Sequence, residues 1–143
     1  MRIKKFEFSI GSYFGNNYNL NYKKGVFEYQ AEVDCIKVSD LNPVFKSDYH
    51  FEHVAIFTLD NINADVLISE ERKHNFYKYI SRYCKLWEKE YSNIEIMDGT
   101  GWECNICIDD FKLKSSGYMS YPSNFKTFLS KLTELTSGKV FNK

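Results

Sequence analysis

The chain has 143 residues, 43% of them hydrophobic and 27% charged, which excludes a disordered or fibrous chain and suits one domain, 1–143, with a core of its own. Nineteen Lys and Arg balance nineteen Asp and Glu, and a formal charge of zero argues against a general nucleic-acid coat and against an acidic mimic of DNA. Aromatic residues are in surplus, 12 Phe, 11 Tyr and 2 Trp, against only 2 Pro.

Met1-Arg2-Ile3-Lys4-Lys5 opens like the basic region of an export signal, but Glu7 and Ser9 interrupt Phe6, Phe8 and Ile10. No apolar run of secretory length follows, and none approaches a membrane span. The expectation is a cytoplasmic protein with no membrane contact, its four cysteines (Cys35, Cys84, Cys104, Cys107) reduced. Phe6, Phe8 and Ile10 alternate with polar residues as in a half-buried strand. Tyr18, Leu20 and Tyr22 alternate with Asn17, Asn19 and Asn21; after a turn at Lys23-Lys24-Gly25, Phe27, Tyr29, Ala31 and Val33 do the same. Residues 40–48, with Pro43, read as loop, and His53 to Leu59 as a fourth strand.

Ser69 followed by Glu70-Glu71 starts a helix. Phe76, Ile80, Tyr83, Cys84, Trp87 and Tyr91 give its apolar stripe, and Ser92-Asn93 its end. Asp98-Gly99-Thr100-Gly101 is a turn into an alternating strand carrying Trp102, Cys104, Ile106 and Ile108, and Asp109-Asp110 turns the chain back. Tyr121-Pro122-Ser123 opens a second helix whose buried face is Phe125, Phe128, Leu129, Leu132 and Leu135, with Gly138 placed to end it. Four strands, a helix, a two-strand hairpin and a helix predict an α+β fold: an antiparallel sheet of about six strands with both helices packed on one face.

Asp98-Gly99-Thr100-Gly101-Trp102 and Ser116-Gly117-Tyr118, with Tyr121-Pro122-Ser123-Asn124-Phe125, carry a resemblance. The pattern resembles a family of small uncharacterised proteins from low-GC Gram-positive bacteria and their mobile elements. Phe6-Glu7-Phe8-Ser9-Ile10-Gly11-Ser12-Tyr13 is similar to that family's first strand. The chain departs from the pattern at Phe111, where a glycine usually finishes the turn, so a looser hairpin is expected. The resemblance implies the fold and attaches no catalytic role to the motif.

The spacing Cys104-Asn105-Ile106-Cys107 matches a zinc knuckle or redox pair, but within a strand it sends the two thiols to opposite faces, and small buried hydrophobes is the better reading. Asp48, His50, Glu52 and His53 form the best metal-like cluster, weighed against a polar loop running into a strand. No Gly-x-Ser-x-Gly elbow or phosphate-cradling glycine loop occurs, and Asp109 and Asp110 read as turn formers. His74, Lys78, Arg82, Lys85 and Lys89 recur at helical spacing as a basic ridge, ordinarily a solvated face. Tyr13, Phe14, Tyr18, Tyr22 and Tyr29 either pair across strands or leave some rings exposed as an interface.

With no catalytic constellation and no cofactor motif, the expected function is a non-catalytic protein-binding module. The resemblance gives it a concrete form: an inhibitor of a host defence complex, or an immunity-type inhibitor of a toxin. The expected contacts are Tyr13, Tyr18 and Tyr22, then Lys78, Arg82 and Lys85. The alternatives are a nucleic-acid or nucleotide binder using the ridge and exposed aromatics, and a metal-dependent hydrolase built on Asp48, His50, Glu52 and His53. A homodimer would use the same surface tyrosines.

Overall fold

Alternating apolar and polar residues pair into one sheet. The computed structural model of the protein describes residues 1–12, 15–34, 59–93, 95 and 99–142. Ile3–Ser12 is β1, Asn17–Lys23 is β2, Val26–Asp34 is β3 and Leu59–Val66 is β4. Helix α1 (Glu70–Tyr83) leads to β5 (Glu90–Ser92), β6 (Thr100–Ile108), β7 (Phe111–Tyr118) and helix α2 (Phe125–Leu135). The strand order is β4-β3-β2-β1-β6-β7-β5.

The α+β class and the helices on one face agree with the sequence expectation; the strand count and the purely antiparallel arrangement do not. Among the described residues the sheet has seven strands and is mixed, because β5 runs parallel to β7. Three residues are too short for a periodic signal, and Tyr91 had been assigned to the helix stripe. The helix instead ends at Tyr83, with Cys84 as its C-cap. Trp87 and Tyr91 reach the core from the chain beyond it, so their spacing imitated a helix they do not join. Asn124 fixes the stopping point: its Nδ2 donates to the Tyr83 carbonyl at 3.0 Å, and its Oδ1 accepts from the Trp87 indole at 2.8 Å. The Ser115 hydroxyl donates to the Glu88 carbonyl (2.6 Å) and Ser116 N–H to the Lys89 carbonyl (3.0 Å), laying β5 along β7.

The N-terminus of α1 is as expected, with the Ser69 hydroxyl accepting from Arg72 N–H at 3.2 Å. The described fourth strand meets the expected one at Leu59 and continues beyond it. Leu59–Val66 pairs with β3 from Asp34↔Leu59 to Phe27↔Val66, whereas residues 53–58 of the expected strand lie outside the described residues. Its sequence, rich in Asn and Asp, has weak β propensity; pairing with β3 decides the matter, and Asn61, Asn63 and Asp65 stand on the solvated face.

The β2–β3 connection is the expected tight hairpin, with Lys24 (φ 52°) and Gly25 (φ 81°) both left-handed between the paired Lys23 and Val26. The β6–β7 hairpin is not looser than usual: Asp109 and Asp110 alone join the paired Ile108 and Phe111. Asp109 adopts φ 50° itself, and its backbone and Oδ1 bond Arg2 at 2.8 and 2.7 Å.

Helix α2 begins at Phe125, after a turn in which Phe125 N–H bonds the Pro122 carbonyl at 3.0 Å. At its other end the expected Gly138 has positive φ (108°), and Ser137 before it is left-handed too (φ 60°). Ser137 N–H bonds the Glu134 carbonyl and Gly138 N–H the Thr133 carbonyl, the paired bonds of a Schellman close. A Cβ in that conformation is strained, so Ser137→Gly is expected to stabilise the protein by about 0.5 kcal/mol, the relief exceeding the extra entropy of the unfolded glycine. Thermal unfolding with an unchanged or lower midpoint would contradict this.

Both helices, and the chain as far as Phe141, cover one face of the sheet, so the core lies between Phe6, Phe8, Leu20, Tyr29 and Ile106 below and Phe76, Ile80, Phe128 and Leu132 above. Phe141 seats on Phe8 and Tyr29 at 6.0 and 5.4 Å, and the Tyr29 hydroxyl donates to the Val140 carbonyl at 2.8 Å. Among the described residues, no helix is long and apolar enough to cross a membrane.

Candidate functional site

The same alternation that fills the core leaves the other face of the sheet polar and, among the described residues, uncovered. One row of residues in register crosses all seven strands: Asn63, Gln30, Asn19, Ser9, Glu103, Ser116 and Glu90. A second row, one pleat along, runs Asp65, Glu28, Asn21, Glu7, Asn105 and Lys114. On the other side of the first row, Gly11 lies opposite Gly101, flanked by Asn17 and Tyr118. These residues are half-buried or exposed, in contrast to their buried neighbours along each strand.

The uncovered face is not flat. A depression of about 670 Å³ spans it from Glu32 on β3 to Glu90 on β5, over Ser9, Gly11, Gly101 and Ser116. Five strand intervals separate β3 from β5, roughly 24 Å. A second depression of about 490 Å³ adjoins it, sharing Ser9, Asn19, Glu103 and Ser116 and reaching Lys89 and Lys114. Gly101 keeps the floor low, since a Cβ there would meet nothing closer than 3.8 Å, whereas the space over Gly11 is filled by the Asn17 side chain.

Tyr18, expected to make contacts, is 4% exposed and belongs to the core, because the even-numbered positions of β2 face the helices. Tyr22 is half-buried against Phe27 at 4.9 Å, a cross-strand pair rather than a free ring. Tyr13 and Phe14 lie outside the described residues, as do Asp48, His50, Glu52 and His53. Among the described residues no group of three His, Cys, Asp or Glu side chains is arranged to hold a metal ion.

The basic ridge is divided. His74, Lys78 and Arg82 are exposed on α1, but Lys85 lies past its end and Lys89 lines the depression on the opposite face. Tyr83 and Leu86 are exposed beside this shortened ridge, at 57% and 87%.

The aromatic residue the face does present is Tyr118, half-buried beside Gly101, its hydroxyl accepting from Gly99 N–H at 2.7 Å. The other residues of the glycine-tryptophan and Ser-Gly-Tyr motifs pack behind the face. Trp102 is 2% exposed, lies 4.7 Å from the Phe125 ring and donates its indole N–H to the Ser120 carbonyl at 3.0 Å. Asn124 joins α1, Trp87 and α2, a position that no residue pattern around it announces.

Cys104 is buried and Cys107 half-exposed, on opposite faces as their odd spacing requires. Burial raises the Cys104 thiol far above its ordinary range, and burial likewise pushes the Cys84 thiol up to about 12, opposed by the Asn124 amide. Both thiols therefore stay protonated and unreactive. They are expected to resist alkylation at pH 8 until the protein is unfolded, whereas Cys107 is labelled in the folded state; mass spectrometry of the labelled peptides checks this. The raised values have a second consequence. The unfolded chain loses these protons from about pH 9, the folded one only near 12 for Cys84, so stability falls as pH rises through that interval.

No family model, no curated protein and no solved structure matches this chain.

Proposed function

We propose that the protein is a non-catalytic binding module whose partner is another protein, engaged by the open face of the sheet. The supporting observation is the depression of about 670 Å³ across six strands, on a face whose described residues carry no helix. Antiparallel sheets commonly leave one face to water; a hollow on that face, lined by amides, carboxylates and hydroxyls around a glycine floor, gives a partner a surface to enter. The concrete form, an inhibitor of a host defence complex or an immunity-type inhibitor, rests on the motif resemblance alone.

The test is affinity capture from the native host lysate, with mass spectrometry and nucleic-acid quantification on one eluate. The expected result is a single stoichiometric protein, retained as salt is raised moderately and lost from the Ser9→Arg/Ser116→Arg variant, which fills the hollow. A partner held equally well by that variant would overturn the assignment.

The exposed Tyr83 beside Lys78 and Arg82 favours one second reading, nucleic-acid or nucleotide binding by α1. It predicts nucleic acid in the eluate that a modest rise in salt removes, since phosphate contacts release counterions.

A further inference from the structure

Resting on the reading of the open face as the binding surface, we infer that the Gly101–Tyr118 end of the depression receives a lysine or arginine side chain carried by the protein partner. Lys5, Lys23 and Lys112 stand toward the end of the sheet nearest the β2–β3 and β6–β7 turns. The larger depression lies toward the opposite end; Glu32, Glu90 and Glu103 line it, and among the described residues its lining contains no Lys, Arg or His. No ion pair among the described residues engages these three carboxylates.

Geometry narrows the site further. Ser116 is paired with both Glu103 and Glu90, so the Cα atoms of the two glutamates flank it roughly 10 Å apart, two strand spacings. A cation centred over Ser116 lies between two flexible carboxylate side chains that can turn toward it, and opposite charges act strongly at short range once a partner excludes water. Tyr118 adds a second kind of complementarity. It lies opposite Gly101, where the missing side chain leaves space beside its ring, and an aromatic face next to carboxylates suits a cation rather than an anion or an apolar group. Lys89 and Lys114 belong to the adjoining depression, so a partner segment crossing the strands would set its own acidic groups there.

The test uses the full chain, labelled with nitrogen-15, titrated with pentalysine and separately with pentaglutamate at low salt. Pentalysine is expected to move the amide signals of Gly101, Glu103, Ser116 and Tyr118 in a saturable manner, and pentaglutamate to leave them in place. Glu90→Gln/Glu103→Gln, two isosteric changes at exposed positions, is expected to weaken pentalysine binding about tenfold, while Lys112→Gln leaves it unchanged. Absence of those shifts, or shifts that survive Glu90→Gln/Glu103→Gln, would overturn the inference. The two claims fail separately. A captured partner released by Ser9→Arg/Ser116→Arg but indifferent to Glu90→Gln/Glu103→Gln leaves the binding face standing and removes only the cation.

Discussion

Phe128→Ala is expected to lower the free energy of unfolding by about 4 kcal/mol, the upper part of the range for emptying a large aromatic site. Phe128 has no exposed surface, and its ring lies 5.5 Å from Phe8, 5.9 Å from Phe76 and 4.9 Å from Trp87. It therefore touches the central strand, α1, and the chain linking α1 to β5. Those neighbours belong to separate elements, each held by its own hydrogen bonds, so collapse into the space is resisted and a cavity is left. Phe128→Leu, which retains most of the volume, is expected to cost about 1 kcal/mol. Denaturant unfolding followed by tryptophan fluorescence measures both, with Trp87 as the adjacent reporter. A loss below about 1 kcal/mol for Phe128→Ala would show that the helices are not seated on the sheet as described.

The second large effect concerns two glycines that look alike in the sequence. A Cβ at Gly117 would lie 2.3 Å from the Trp102 indole nitrogen and 2.6 Å from the Ser120 carbonyl that accepts its hydrogen bond. Gly117→Ala must push the indole off both that carbonyl and the Phe125 ring, and the expected cost is about 3 kcal/mol. Gly101 is the contrast, since a Cβ there meets only ordinary contacts at 3.8 and 3.9 Å. Gly101→Ala is expected to alter stability by less than about 0.5 kcal/mol while raising the floor of the binding hollow. Near-ultraviolet circular dichroism would report the displaced tryptophan in the first variant and a native spectrum in the second. Equal effects of the two substitutions would contradict the packing assigned to Trp102.

These two residues also mark how far the sequence could be read. Alternation identifies β1, β2, β3 and β6, with Phe8, Leu20 and Trp102 on one face, because burial on one face imposes a period of two, and the Asp109-Asp110 turn implies β7. The same reasoning, applied to the opposite phase, already contained the open face: Ser9, Asn19 and Glu103 are the polar members of those alternations. What periodicity could not supply was the register that sets them in one row, or the curvature that makes the row a hollow. Both depend on pairing between residues up to a hundred positions apart, as Ser9 and Glu103 show.

The errors have related causes. The surplus of tyrosines in the first strands suggests a contact role for Tyr18, but its phase in β2 sets it with Leu20 in the core. Trp87 and Tyr91 were assigned to the helix by spacing alone; Asn124, more than thirty positions away, closes that helix at Tyr83. The ridge was shortened with it, and Lys89 moved from the helix layer to the edge of the sheet face. A side chain that ends one element from within another leaves no local trace in the residues it acts on.

The central claim is that binding belongs to the sheet face and not to the helix layer, and carboxylate footprinting of the captured complex tests it most directly. Both layers carry exposed reporters, Glu32, Glu90 and Glu103 on the sheet and Glu70, Glu71 and Glu134 on the helices. Carbodiimide coupling of an amine, read by mass spectrometry with and without partner, should show the sheet carboxylates protected in the complex and the helix carboxylates modified as before. Protection of Glu70 and Glu71 with Glu90 and Glu103 unchanged would place the interface on α1 and contradict the account.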